Sequence, residues 1–197
     1  MPSVAYKVLR AAGVDRDLDL IFDFLVATAE GFGEPAASAF TLAEKRLADI
    51  ERSMADMKDK FGGTQQAHQA ALLVARSLAD KGQIPQAKTW LGWVAEQAAV
   101  PALRDIARIR LAALQWDTGS VDEALKTLQA DFAPETAPLA ADLRGDLLMA
   151  KGQQSEAVAA YQKAQQGLGE ASEYRRVVQA KLAVLGIDAA AANGARP

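Results

Sequence analysis

Paired acidic residues are the side chains in this sequence whose spacing could support acid–base chemistry. Asp15, Asp17 and Asp19 cluster near the N-terminus, and Asp142 and Asp146 stand four residues apart, on one face of a helix. Two neighbouring carboxylates can transfer protons when their pKa values are driven apart. Acids at helix starts and on solvated helix faces have the same spacing far more often. The sequence therefore predicts no catalytic residue and no enzyme.

Few side chains in the sequence could bind a metal or a cofactor. There is no cysteine, and the single histidine, His68, has no partner at the spacing of a zinc site. We expect His68 to be a surface or half-buried helix residue. The glycine-rich stretches 31–33 and 61–63 lack the strand, the lysine and the Ser/Thr of a phosphate loop, which indicates turns. We predict neither metal nor cofactor.

The charge balance gives no reason to expect a nucleic-acid partner. The chain has 22 Lys and Arg against 25 Asp and Glu, a net charge of −3. Nucleic-acid binding needs a concentrated basic surface. The arginines of the stretch 104–110 are expected to form ion pairs within the chain instead.

No stretch has the composition of a membrane-spanning helix, which needs about 20 mainly apolar residues. The most apolar stretch, 20–29, is interrupted by Asp23, and a run of charges at 15–19 stands where a signal peptide would be apolar. The chain as written is expected to be soluble.

A glycine-centred pattern occurs three times and indicates the architecture. Gly82, Gly119 and Gly152 are separated by 37 and 33 residues, a period typical of stacked helical units. Each has a small residue seven positions before it, an alanine five after it and a large residue nine after it. The small residues are Ala75, Ala112 and Gly145, the alanines are Ala87, Ala124 and Ala157, and the large residues are Leu91, Leu128 and Tyr161.

The pattern has a direct physical explanation in paired helices. Glycine ends the first helix because it adopts positive φ without steric cost. The small residue and the alanine, always twelve positions apart, allow two helices to cross closely. Ser120 and Glu123 match a capping box at the start of a second helix, and Pro85 fits a first helical turn.

This spacing resembles the tetratricopeptide (TPR) pattern, with units at about 67–98, 104–131 and 137–168 and a closing helix at about 172–185. Arg144, where the pattern favours a large apolar residue, and Asp131 depart from it. No strand pattern occurs, so we predict an all-α, TPR-like array. We expect a divergent helical segment at 1–45, the TPR-like domain at 46–186 and a disordered Ala/Gly tail at 187–197.

Three stretches in order, ALLVARSLADKGQIPQAKTWLGWVAEQA, ALRDIARIRLAALQWDTGSVDEALKTL and APLAADLRGDLLMAKGQQSEAVAAYQKA, are similar to the ancillary SecYEG translocon subunit family. The resemblance implies a membrane-anchored protein whose TPR-like domain faces the periplasm at the inner membrane. It implies SecYEG and a periplasmic chaperone as protein partners.

The first 45 or so residues do not match that plan, because no anchor is visible in them. A soluble family member, a replaced N-terminus and a misassigned start all explain this. A soluble cytoplasmic adaptor or a homodimer is therefore the alternative function.

TPR units bind ligands in the groove lined by their first helices. Carried over to this sequence, that geometry gives as groove candidates Gln69, Leu72, Arg76 and Asp80, then Ile106, Ile109, Ala113 and Trp116, then Leu139, Asp142, Asp146 and Met149. Ile109, Trp116 and Met149 would form an apolar stripe suited to a peptide or an amphipathic helix. Alternatively, the N-terminal helices fill the groove. Trp90 and Trp93 share a helix face and are expected to pack between units or to be exposed anchors.

Overall fold

The computed structural model describes residues 52–170 and 172–187. The helical segment predicted at 1–45, the first residues of the predicted TPR-like domain at 46–51, and the tail from 188 lie outside this range. From Met54 onward the described residues belong to one compact unit. Its helices are a segment at 54–61, α1 Gln65–Asp80, α2 Ile84–Gln97, α3 Pro101–Asp117, α4 Val121–Thr127, α5 Ala137–Ala150, α6 Gln154–Gly167 and α7 Glu173–Val184.

The helices form three successive hairpins followed by α7, as the sequence pattern predicts. Each helix from α1 to α7 packs against the next along the chain, and the first helices of neighbouring hairpins, α1, α3 and α5, also touch. No strand occurs among residues 52–170 and 172–187. The prediction of an all-α, TPR-like array is confirmed.

One turn geometry closes all three hairpins. Gly82, Gly119 and Gly152 have φ values of +76°, +84° and +74°. In each turn the glycine N–H donates to the carbonyl three residues back, and the next N–H donates to the carbonyl five residues back. For Gly119 and Ser120 these bonds to Trp116 and Gln115 are both 2.8 Å. This is the Schellman arrangement, which satisfies the last carbonyls of a helix and requires a left-handed residue.

Small side chains fill the helix crossings inside each hairpin. Ala75, Ala87, Ala112, Ala124 and Ala157 have no exposed surface. In the third hairpin Gly145 is buried against the ring of Tyr161, and a Cβ added there would overlap that ring. Tyr161 therefore occupies the space that a methyl group at position 145 would need.

The helix starts agree with the sequence in part. Thr64 caps α1 by accepting a hydrogen bond from the N–H of Ala67 at 3.2 Å, and Pro85 lies in the first turn of α2. Ser120 is the N-cap residue of α4, but its side chain makes no capping hydrogen bond, so the predicted capping box is wrong in this respect. Helix α4 has only seven residues and leads into the stretch 128–136 before α5 begins.

Asp105 of α3 holds that connecting stretch. Its Oδ2 accepts hydrogen bonds from the N–H of Ala133 at 2.8 Å and from the hydroxyl of Thr136 at 2.5 Å. Arg108, one helical turn further along α3, lies 3.6 Å from the other carboxylate oxygen of Asp105. A nearly completely buried carboxylate is thus satisfied by the loop that it anchors.

Candidate functional site

The middle hairpin presents large apolar side chains on its first helix. Ile106, Ile109 and Trp116 project from α3 and are half-buried. Ile109 and Trp116 pack at the edge of a core cluster formed by Ala112, Ala124, Leu128, Ala140 and Leu147. The cluster thus supports Ile109 and Trp116 on one side, while part of their surface stays in solvent. We call Ile106, Ile109 and Trp116 the α3 face.

Arg76 of the first hairpin lies on the corresponding helix, α1. Its side chain is half-buried, and its Nε lies 3.8 Å from the Oδ2 of Asp80, one helical turn further on. Asp80 is largely exposed. The pair joins one half-buried and one exposed side chain, and an i,i+4 contact of this length contributes little to stability.

The third hairpin differs, because its predicted groove residues are covered by α7. Asp142 and Asp146 of α5 are 3% and 8% exposed. The ammonium of Lys181 on α7 donates to both oxygens of Asp142 at 2.8 Å and to Asp146 Oδ2 at 2.9 Å. Tyr174 donates to Asp142 at 2.6 Å, and Tyr161 donates to Asp146 at 2.7 Å.

These contacts form a buried ionic network of two carboxylates, one ammonium and two phenols, which we call the Lys181 network (Asp142, Asp146, Tyr161, Tyr174 and Lys181). Every carboxylate oxygen accepts a hydrogen bond. The network holds α7 against α5 and α6. Asp142 and Asp146 therefore do not line an open groove while α7 is in place, which corrects the sequence-based expectation for these two residues. Met149, a further predicted groove residue of this hairpin, packs against the buried core cluster that contains Tyr161, Val178 and Leu182.

Burial and charge shift the titration of this network. Burial, and secondly the neighbouring Asp146, raise the pKa of Asp142, although Lys181 and Tyr174 counteract them. Burial also raises the pKa of Tyr161, with Asp146 as the next cause, and that of Tyr174, with Asp142 as the next cause. Both phenols therefore remain protonated donors at physiological pH.

Sequence reasoning missed the Lys181 network, although one signal for it was present. Val178 and Leu182 of α7 are buried, and Lys181 lies on the same helical face as both. A lysine inside an apolar stripe needs a buried acidic partner. Asp142 and Asp146, one turn apart on α5, were the candidates for that partner.

An aromatic cluster stands at the start of the array. Trp93 lies 4.9 Å from the ring of His68 and 5.8 Å from the ring of Trp90, between centroids. The ammonium of Lys58 lies 5.4 Å from the Trp93 centroid. His68 is 1% exposed, so the expectation of a surface or half-buried histidine is wrong, and burial lowers its pKa. Trp90 and Trp93 are half-buried.

Metal binding and membrane insertion can be considered only for the described part of the chain. Within residues 52–170 and 172–187 no group of His, Asp and Glu side chains is arranged to hold a metal ion. No helix in these ranges has the length and apolarity required to cross a bilayer.

A chain of helical hairpins with Schellman turns and small residues at the crossings defines a class of repeat proteins that bind other proteins. The tetratricopeptide repeat-like domain family matches residues 32–187, and the chain belongs to this family. The match covers all three hairpins and α7.

A curated relative gives a more specific comparison. The chain is 30% identical over 112 residues to the ancillary SecYEG translocon subunit of Escherichia coli (strain K12). The aligned region covers 57% of this chain and 52% of the relative. The chain thus spans about half the length of the curated relative that it matches.

Proposed function

We propose that this protein is a non-enzymatic scaffold that binds protein through the α3 face, and that it serves as an accessory subunit of the Sec translocon. The observation that carries the binding proposal is the partial exposure of Ile106, Ile109 and Trp116, of which Ile109 and Trp116 pack against a buried core cluster. Apolar side chains held in place but incompletely covered lose little conformational entropy when a partner covers them. Tryptophan is the residue most enriched among binding hot spots.

Family and relative support the partner class. Membership in the tetratricopeptide repeat-like family supports a protein ligand. The name of the Escherichia coli relative supports SecYEG as that ligand. Following the resemblance of the three repeat stretches, the proposal extends to a link with a periplasmic chaperone and to a position at the periplasmic face of the inner membrane. We also propose that the TPR-like domain spans residues 46–186.

The shape of the α3 face favours a helical or extended segment of the partner. Ile106, Ile109 and Trp116 are spaced three and seven residues apart, so they form one stripe along α3. An amphipathic helix that lies along such a stripe would bury its own apolar side chains against it. Arg76 and Asp80 on α1 lie on the equivalent helix of the first hairpin and can make polar contacts at the rim.

The test is capture of purified SecYEG, in detergent or nanodiscs, by the full chain and by two variants. Trp116→Ala should weaken binding by roughly thirtyfold, the effect of losing a hot spot of about 2 kcal/mol. Lys163→Ala, at an exposed position of α6, should bind like the unmodified chain. Circular dichroism must first establish equal helix content.

Equal capture by a folded Trp116→Ala variant would eliminate the α3 face as the binding surface. Absence of capture by every form, including the unmodified chain, would eliminate SecYEG as the partner. The same preparations, measured by sedimentation, test the homodimer alternative, because a dimer formed through the α3 face would dissociate in Trp116→Ala.

A further inference from the structure

One position of the repeat changes its chemistry in the third hairpin. The residue immediately before the small residue is Val74 in the first hairpin, Leu111 in the second and Arg144 in the third. Val74 and Leu111 are half-buried, whereas Arg144 is exposed. Arg144 lies at the seam between α4 and α5, so an exposed cation stands there in place of a half-buried apolar residue.

A cleft occupies that seam. It lies between α4, α5 and the first turn of α6 and has a volume of about 270 Å³. Leu125 and Leu148 form its apolar part, and Leu148 is 3% exposed. Lys126, Gln129, Arg144 and Lys151 surround these leucines. Position 144, which carries a half-buried apolar residue in the other two hairpins, thus lines the cleft with a cation.

The charges around the cleft are not balanced internally. Lys151 is paired with Asp122 at 2.6 Å, and Glu156 accepts a hydrogen bond from the amide of Gln153 at 2.9 Å. Arg144 and Lys126, in contrast, have no ion-pair partner among residues 52–170 and 172–187. Among the described residues, two cations and one carboxylate, that of Glu156, thus stand beside the two leucines without an ion-pair partner. Three cations against two carboxylates leave the lining of the cleft with a net charge of +1.

From this arrangement we infer a second protein-binding site, distinct from the α3 face, that takes an acidic and apolar segment of a partner. A carboxylate side chain of that segment pairs with the guanidinium of Arg144, which can bind both of its oxygens. Lys126 adds a second positive charge. A neighbouring leucine, isoleucine or valine of the segment packs on Leu125 and Leu148 and fills the cleft.

The site depends on residues of α4, α5 and α6 and on none of the α3 face. If the cleft binds no peptide, the proposed function at Trp116 is therefore unaffected. If Trp116 proves not to bind a partner, the inference about the cleft is likewise unaffected. The alternative is that Arg144 is only hydrated and binds no carboxylate of a partner. The experiment has to distinguish this alternative from binding.

The experiment is an NMR titration of the isotope-labelled full chain with two synthetic peptides. The acidic peptide carries the sequence Leu-Glu-Leu-Asp between Gly-Ser flanks with both ends blocked, and the neutral peptide has Gln and Asn instead of Glu and Asp. With the acidic peptide we expect shifts of the Arg144 Nε–H and the Gln129 amide, and a dissociation constant below about 1 mM. The neutral peptide should bind at least tenfold more weakly.

Three variants complete the test. Arg144→Leu, which restores the apolar residue of the other hairpins, and Arg144→Gln, which keeps the cleft polar, should each weaken binding of the acidic peptide at least tenfold. Arg176→Leu, an exposed arginine of α7, should bind it unchanged. Equal binding of both peptides, unchanged binding by Arg144→Gln, or no shift up to about 5 mM acidic peptide would each overturn the inference.

Discussion

The second and third hairpins place different chemistry at equivalent positions of their first helices. Relative to the turn glycine, Ile109 corresponds to Asp142, Ala113 to Asp146 and Trp116 to Met149. The α3 positions carry apolar side chains and stay half-exposed. The α5 positions carry two acids that are buried beneath α7 and joined to Lys181.

The difference shows how one backbone plan can carry either a covered first helix or a partly exposed one. The two hairpins share the turn glycine with positive φ, a small residue in the first helix and a fully buried alanine in the second. What differs is the side chain that faces outward from the first helix. Two carboxylates there bind Lys181 of α7, which covers them, whereas Ile109 and Trp116 of α3 stay partly exposed, as the proposed binding surface requires.

The largest effect is expected from breaking the Lys181 network. Lys181→Met leaves Asp142 and Asp146 buried without their cation and should lower the free energy of unfolding by about 3–5 kcal/mol. Urea denaturation followed by circular dichroism measures this loss. Lys163→Met, at an exposed position of α6, should change stability little. A Lys181→Met variant as stable as the Lys163→Met variant would mean that the network does not hold α7.

A smaller effect is expected at the crossing of the third hairpin. Gly145→Ala forces a methyl group against the Tyr161 ring, which is held by its hydrogen bond to Asp146, and should destabilise by about 1–3 kcal/mol. Gly92→Ala is the matched control, because this mid-helix glycine of α2 has open space around its Cβ position. It should stabilise by about 0.5–1 kcal/mol through helix propensity. The two melting temperatures should therefore move in opposite directions, and a shift in the same direction would refute the crossing geometry.

The smallest effect is a change of folding stability with pH. It distinguishes the carboxylates of the Lys181 network from the apolar α3 face. Because the folded-state pKa of Asp142 is raised, the folded state takes up a proton at this residue before the unfolded state does. The contribution of Asp142 to stability is thus greatest below its ordinary pKa and is lost as the pH rises through the folded-state value. The stability of the unmodified chain relative to Asp142→Asn should therefore increase between about pH 7 and about pH 4. A relative stability that falls over this interval would contradict the burial of Asp142 as the dominant cause.

The sequence could predict the parts of the fold that depend on local geometry. Gly119 has to end α3 in a left-handed conformation, and Ala112 and Ala124 have to be small, whatever the rest of the chain does. The pairing of Lys181 with acids 35 and 39 residues earlier could not be derived in this way, because it depends on where α7 docks. The burial of His68 against Trp93 is a tertiary effect of the same kind.

In the candidate site, too, the sequence could predict what depends on local spacing but not what depends on tertiary packing. The α3 positions follow from the repeat register, so Ile106, Ile109 and Trp116 could be named from the sequence. The same register also named Asp142 and Asp146, because it cannot tell a residue that faces a ligand from one that faces another helix of the same chain, here α7. Arg144 was visible as a departure from the pattern, but the cleft that it lines could be found only from the packing of α4 against α5.

Site-specific photocrosslinking tests most directly whether the α3 face binds a partner. A photoreactive phenylalanine analogue is placed at Trp116, where it preserves an aromatic side chain, and separately at Lys163 on α6. In native membranes that contain SecYEG, the probe at Trp116 should form an adduct with a translocon subunit, and the probe at Lys163 should not. An adduct from Lys163 together with none from Trp116 would contradict the account and would place the binding surface on the second helices instead.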